Sequence, residues 1–142
     1  MRHNRIELYI HIVWTTKNRE PLIQPDIEAP IYRCIGNEVH KLKCRVLALG
    51  GMPDHVHLLV SITATTNLDH LMNQVKGVSS HMANDSLVSG KNFSWQRGYG
   101  AFSIGRNLIK TVTAYIQNQK QRHHSNELWP EWEQSESNED KL

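Results

Sequence analysis

Residues 54–62 constrain the fold more than any other segment, because apolar side chains occupy every second position along them. Successive side chains of a β-strand point to opposite faces of its sheet. One face is therefore predicted to enter the core, and its members are Val56, Leu58, Val60 and Ile62. His55 and His57 fall together on the opposite face, outside that core. The segment predicts a strand with one buried side and two neighbouring imidazoles on the other.

This histidine pair has two interpretations. Most histidines are surface groups or hydrogen-bonded core groups rather than metal ligands. Two imidazoles at positions i and i+2 of a rigid strand, however, can share one ion without backbone movement. The spacing makes a metal site a hypothesis that other parts of the sequence must support.

Three more strands are predicted around this one. Alternation over residues 6–14 predicts a strand, and residues 44–49 predict another. The latter pairs with residues 54–62 as a hairpin, with a turn from Gly50 to Pro53. Residues 93–104 read as a loop that leads into a fourth, short strand.

Apolar residues at helical spacing predict three helices, over residues 26–42, 68–85 and about 107–124. The first six elements in chain order give the α+β, ferredoxin-like βαββαβ arrangement. This fold has a four-stranded antiparallel sheet with helices on one face. The last helix is an addition at the C-terminal end.

Charge is unevenly distributed along the chain. The 16 basic and 14 acidic residues give a net charge of +2, but six of the acids and one lysine lie beyond residue 126. Residues 1–126 therefore carry 15 basic and 8 acidic side chains, a net charge of +7. A basic body fits a polyanion-binding domain, and a solvated surface is the alternative. The predicted organisation is one domain over residues 1–124 and an acidic, flexible tail over 125–142.

The sequence shows no sign of export or membrane insertion. No run approaches the roughly 20 apolar residues of a transmembrane helix, and no small-residue cleavage site follows the basic start. The two cysteines, Cys34 and Cys44, are too few for a disulfide framework or a zinc knuckle. The sequence therefore predicts a cytoplasmic protein.

The predicted last helix carries a second candidate site. Ile109, Val112 and Ile116 form its apolar stripe, and Tyr115 and Gln119, four residues apart, share one face. A tyrosine at the edge of such a stripe can equally be a packing aromatic.

Taken together, these motifs closely resemble one family. The resemblance runs from about His3 to His124, and its matching segments are residues 11–19 (HIVWTTKNR), 50–57 (GGMPDHVH), 75–77 (VKG), 95–102 (WQRGYGAF), 115–119 (YIQNQ) and 123–124 (HH). It is similar to the HUH single-tyrosine transposases of small insertion sequences, the TnpA or IS200-like type. The REP-associated tyrosine transposases are close relatives of this family.

The resemblance implies a role for four residues. His55 and His57 match the HUH metal ligands, Gln119 matches the third ligand, and Tyr115 matches the nucleophile. The implied reaction cuts and rejoins single-stranded DNA through a 5′-phosphotyrosine, with Mg²⁺ or Mn²⁺ as cofactor. One phosphodiester replaces another, so the reaction needs no nucleotide cofactor, and no P-loop is present. Hairpins at single-stranded element ends are the implied partner, and the implied assembly is a homodimer.

Six basic residues are predicted to contact DNA phosphates: Lys17, Arg19, Lys76, Arg97, Arg106 and Lys110. Each can also be an ordinary solvated charge. Trp95 and Tyr99 are candidates to stack on unpaired bases, although packing is favoured for Trp95.

Three other functions remain open at this point. A replication-initiator or relaxase-type nicking protein usually belongs to a larger chain with the tyrosine placed differently. A domesticated, catalytically silent DNA-hairpin-binding module would keep the fold without the reaction. A ferredoxin-like RNA-binding module would carry aromatic motifs on its exposed strands, where this sequence has histidines.

Overall fold

The computed structural model describes residues 4–87, 90 and 92–120. In chain order the elements are β1 (Leu8–Thr15), α1 (Pro25–Lys41), β2 (Arg45–Met52), β3 (His55–Ile62), α2 (Leu68–Ser86), β4 (Gly100–Ile104) and α3 (Ile109–Gln117). Short 3₁₀ turns cover residues 17–19 and 106–108. The predicted end of the last helix at residues 121–124 and the predicted acidic tail over 125–142 lie outside the described residues.

The four strands form one antiparallel sheet in the order β2–β3–β1–β4. This order confirms the predicted ferredoxin-like arrangement. The two central strands are β1 and β3, and their register places Thr15 opposite His55 and Leu8 opposite Ile62. The histidine end of β3 is therefore next to the C-terminal end of β1.

The larger core lies between the sheet and the pair α1 and α2. Its sheet side comprises Ile12, Trp14, Val56, Leu58 and Val60, as the alternation predicts. α1 begins with proline in its first turn, where a missing N–H costs nothing. α2 begins after Asn67, whose side chain accepts a hydrogen bond from the His70 backbone N–H.

The opposite face of the sheet is covered by the additional helix α3, while α1 and α2 share one face as predicted. A smaller apolar cluster fills this second layer, with Ala48, Leu59, Ile104, Val112 and Ile116 among its buried members. Since α3 packs on β2 and β3, the strand face that carries the histidines is buried as well.

The predicted turn from Gly50 to Pro53 was placed wrongly, because both of its glycines belong to β2. The connection to β3 consists of Pro53 and Asp54 alone. A β-carbon built at Gly50 would lie closer than 3.0 Å to the carbonyl oxygen of Ile116 in α3. Gly50 therefore serves the close approach of a helix to the sheet rather than a turn.

Within the described residues, no helix is long and apolar enough to cross a membrane.

Candidate active site

The structure brings the four predicted active-site residues together between the sheet and α3. His55 and His57 project from β3 on the α3 face, while Tyr115 and Gln119 come from α3 and the residues just after it. All four are buried, with relative exposures of 2%, 0%, 0% and 1% in that order. The predicted exposure of the histidines was therefore wrong, because α3 covers them.

Both ring nitrogens of His55 are held by oxygen atoms. Its Nδ1 lies 2.7 Å from Oδ1 of Asp54, and its Nε2 lies 3.2 Å from Oε1 of Gln119. The Asp54 contact follows from adjacency in the chain, whereas the Gln119 contact depends on the docking of α3. His55 thus links the strand to the tyrosine-bearing helix.

His57 lies between the other aromatic groups of the site. Its ring centroid is 5.1 Å from that of His55 and 5.9 Å from that of Tyr115, both in edge-on geometry. On its other side, its Nδ1 is 2.9 Å from Nε2 of His11, a buried residue of β1. Sequence reasoning missed His11 and Asp54 as members of the site. The sequence signal for His11 was its position in the alternating segment 6–14, on the face opposite the apolar one.

Tyr115 and Gln119 are held by one local structure. α3 ends at Gln117, and a turn at Asn118 precedes Gln119, whose Nε2 donates a hydrogen bond to the Tyr115 carbonyl oxygen at 3.4 Å. The predicted i, i+4 relation therefore holds across the end of the helix. Beside Gln119, a cleft of about 470 Å³ opens between α1 and the end of α3, and the ion pair of Lys120 with Glu28 lies along it.

The electrostatics of the site centre on Asp54. The hydrogen bond from His55 lowers the pKa of the Asp54 carboxyl below its usual range, and the positive charge of Arg19 lowers it further. Asp54 is therefore a carboxylate beside His55. Because the charge of Arg19 acts on Asp54, Arg19 lies near this end of the sheet.

The donor set fits a divalent metal ion. Among the described residues, no three His, Cys, Asp or Glu side chains form a metal-binding group, so a ligand set here needs the amide oxygen of Gln119. His55 Nε2 and Gln119 Oε1 lie 3.2 Å apart and the His57 ring adjoins them, so two imidazole nitrogens and one amide oxygen could hold one ion.

Four of the six predicted DNA-contacting residues are placed towards the histidine end of the sheet. The loop before β4 reaches that end, because the Lys17 N–H donates to the Ser94 carbonyl and the Gln96 N–H donates to the Thr15 carbonyl. Arg97 is exposed on this loop beside an open cleft of about 370 Å³. Lys17 and Arg19 are exposed on the neighbouring 3₁₀ turn.

Lys76, the fourth, has a different environment. Its Nζ donates hydrogen bonds to the carbonyls of Gln96 and Gly98, and burial lowers its pKa. Lys76 therefore fixes the loop that presents Arg97.

Arg106 and Lys110 are not brought together with the site. Arg106 is paired with Glu7 at 3.2 Å, just outside the β1–β4 pair formed by Tyr9 and Ile104. This end of the sheet is separated from His55 by the length of β1, roughly 20 Å. Lys110 lies in the first turn of α3, which begins at the same end.

The two candidate stacking residues both pack against protein groups. Trp95 contacts Trp14 and Phe93 edge-on, and its Nε1 donates to Ser79 Oγ at 2.9 Å. The hydroxyl of Tyr99 donates to the Asp69 carboxylate. The packing interpretation of Trp95 is therefore correct.

Comparisons with known proteins identify one family that matches most of the chain. A family model described as "Transposase IS200 like" matches residues 4–119. The ISDra2 transposase TnpA of Deinococcus radiodurans is 22% identical over 120 residues, which span 80% of this chain and 84% of that protein.

Two solved structures share the fold. The crystal structure of a candidate transposase from Deinococcus radiodurans R1 superposes with a TM-score of 0.64 at 21% identity, covering 84% of this chain and 95% of the other. A REP-associated tyrosine transposase bound to a REP hairpin gives a TM-score of 0.66 at 14% identity, covering 87% and 73%. At these identities the likeness establishes the fold alone.

Proposed function

The chain belongs to the IS200-like transposase family and is thus a DNA-processing enzyme, and on that premise we propose that it cuts and rejoins single-stranded DNA through a 5′-phosphotyrosine on Tyr115. The observation that carries the proposal is the docking of α3, which places Tyr115 against His57 and Gln119 against His55. A tyrosine, two imidazoles and an amide oxygen in one buried site are the groups that this reaction needs.

The covalent step exchanges one ester for another. The Tyr115 hydroxyl oxygen forms a bond to the scissile phosphorus, and the bond from phosphorus to the 3′ oxygen breaks. The phenolic proton is given up and the departing oxygen takes one, so the products are a phosphotyrosine and a free 3′-hydroxyl. A 3′-hydroxyl of another strand reverses the exchange, which joins new ends without an external energy source.

We propose that His55, His57 and Gln119 hold Mg²⁺ or Mn²⁺. When bound, such an ion supplies Lewis acidity to a non-bridging phosphate oxygen and a template for the in-line geometry. This matters because a tyrosine phenol, with an ordinary pKa near 10, is a weak nucleophile at neutral pH. Asp54 supports the set by accepting from His55 Nδ1, which leaves Nε2 as the ligating nitrogen.

The structure has Tyr115 fully buried. A phosphate therefore reaches its hydroxyl only after the side chains that cover Tyr115 have moved aside.

We propose a DNA hairpin with single-stranded flanks as the substrate. The related REP-associated enzyme is bound to a REP hairpin, and the exposed cations Lys17, Arg19 and Arg97 surround the histidine end of the sheet in this chain. Because these cations lie next to the site, a hairpin bound there would deliver its flank to Tyr115.

We also propose a homodimer, as the family resemblance implies. Three large apolar side chains, Ile6, Leu8 and Leu108, are 44%, 44% and 42% exposed. All three lie towards the sheet end remote from His55, so a second copy could cover them without blocking the site. Sedimentation equilibrium tests this, and a fully active monomer would contradict it.

A covalent adduct is the direct test of the reaction. The protein is incubated with labelled single-stranded DNA that carries hairpin ends, with Mn²⁺, with Mg²⁺ or with a chelator, and analysed on a denaturing gel. We expect a metal-dependent adduct for the wild type and none for Tyr115→Phe.

Tyr9→Phe is the matched control. Tyr9 packs against the same apolar cluster under α3, and the substitution removes the same hydroxyl group. It should form the adduct at the wild-type rate. Hairpin binding without any adduct, in either metal, would make the protein a silent DNA-binding module instead.

A further inference from the structure

His11 is a polar side chain at the bottom of the site that the reaction outlined above does not use. It lies on β1 opposite Leu59, on the α3 face of the sheet, and is 0% exposed. Burying an imidazole is unfavourable unless its polar atoms are hydrogen-bonded. An apolar residue would fill this position at lower cost, so the presence of histidine calls for a specific role.

The contacts of His11 are directed at His57. The two rings meet edge to edge: His11 Nε2 lies 2.9 Å from His57 Nδ1, the centroids are 5.1 Å apart, and the ring planes are inclined by 30°. Phe102 of β4 closes the other side, with its ring centroid 6.3 Å from that of His11. A contact between ring nitrogens with the two planes only 30° apart restrains the orientation of the His57 ring.

This arrangement parallels the one at His55. An imidazole that binds a metal through one nitrogen usually donates the N–H of the other to an acceptor, which fixes its tautomer and orientation. For His55 the acceptor is the Asp54 carboxylate. For His57 the group at the corresponding distance from Nδ1 is His11 Nε2.

We propose that His11 is a positioning residue for the metal site: it accepts the Nδ1–H of His57 and so directs His57 Nε2 towards the ion. This inference rests on the proposed function, because it assigns His11 a role toward the same ion. His11 itself touches neither the ion nor the DNA.

Two variants separate positioning from packing. His11→Gln retains an acceptor oxygen at about the reach of Nε2, whereas His11→Leu retains apolar bulk and has no acceptor. The readout is the Mn²⁺ dissociation constant of the DNA-free protein, measured by calorimetry, with the thermal unfolding temperature of the metal-free form beside it. We expect His11→Leu to weaken Mn²⁺ binding about 10- to 100-fold and His11→Gln to restore it to within a few-fold.

The outcomes distinguish this role from the metal site itself. If the wild type and His57→Ala both fail to bind Mn²⁺, the proposed metal chemistry falls and the role of His11 falls with it. If the wild type binds, His57→Ala does not, and His11→Leu binds as well as His11→Gln, only the positioning role is overturned.

A measurement on the wild type covers the case in which His11→Leu does not fold. Long-range ¹H–¹⁵N spectra of the metal-free protein, above the ordinary histidine pKa, report which nitrogen of His57 carries the proton. The proposal requires the Nδ1–H tautomer, and an Nε2–H tautomer would overturn it.

Discussion

Tyr32 buries a hydroxyl group that makes no hydrogen bond within the part of the chain that the structure describes. Burial raises the pKa of this phenol, so it stays protonated and neutral. An unsatisfied buried hydroxyl carries its full desolvation penalty. We therefore expect Tyr32→Phe to raise the free energy of unfolding by about 1 kcal/mol, measured by urea denaturation. A loss of stability of that size would instead mean that the hydroxyl has a partner, such as a bound water.

At the same scale, local geometry predicted that the four proposed active-site residues form two pairs, while their roles were implied by the family resemblance. Spacing i, i+2 on a strand and i, i+4 on a helix keeps two side chains together in any tertiary structure. His11 could not be assigned in this way. Its contact with His57 depends on the register between β1 and β3, which no local pattern in either strand reveals.

Among the elements, the contact of α3 with β2 depends on Gly50. We expect Gly50→Ala to destabilise the protein by about 1–3 kcal/mol, because its β-carbon would overlap the Ile116 carbonyl and push the helix outward. Urea denaturation measures the loss. Hydrogen exchange should locate it, with faster exchange at the amides of α3 than at those of α1.

Gly36→Ala is the matched control for that variant. Gly36 lies within α1, and a β-carbon built there meets no atom within 4 Å. Since alanine is favoured over glycine inside helices, this variant should gain about 0.5–1 kcal/mol. Equal stability of the two variants would show that α3 does not approach β2 as closely as described.

Glu38 joins the two helices of the larger core. Its carboxylate, 4% exposed, accepts hydrogen bonds from Lys41 at 2.9 Å and from Gln74 of α2 at 3.0 Å. The bond from Lys41 and, to a smaller degree, that from Gln74 lower the pKa of Glu38. The folded state therefore releases this proton more readily than the unfolded state does.

The stability that Glu38 contributes should accordingly be present above the unfolded glutamate pKa of about 4.3 and be lost as the pH falls through the lower, folded value. We expect Glu38→Gln to be less stable than the wild type near neutral pH and to lose less stability on acidification below about pH 4.3. Urea midpoints measured across that range decide it, and parallel acid profiles for the two proteins would contradict it.

The sequence did not predict the face of the sheet on which α3 packs. The stripe of Val112 and Ile116 shows that the helix buries one side, but it does not show which face of the sheet receives it. Gly50 allows the close approach of α3 to the sheet, but a glycine at this position also fits a turn. A glycine required for close approach and a glycine required for a turn are identical in sequence.

Across the whole molecule, the basic residues predicted to contact DNA divide between two ends of the sheet. Lys17, Arg19 and Arg97 are exposed near His55, whereas Arg106 is paired with Glu7 at the far end. The sequence predicted DNA contacts for all of them, because the charge of a residue does not show on which surface it lies. Which cations share a surface with the site depends on how the strands are ordered.

This division gives a test of which surface holds the hairpin. We expect Arg97→Ala to weaken binding of a labelled DNA hairpin, and to reduce the slope of log affinity against log salt by about 1, since one phosphate contact is lost. Arg106→Ala removes the same charge and should leave both quantities unchanged. Fluorescence anisotropy over a salt series measures affinity and slope together. Equal effects of the two substitutions would indicate binding by net charge alone. A larger effect of Arg106→Ala would place the hairpin at the end of the sheet remote from Tyr115 and His55. A hairpin bound there could not deliver a phosphate to the proposed nucleophile.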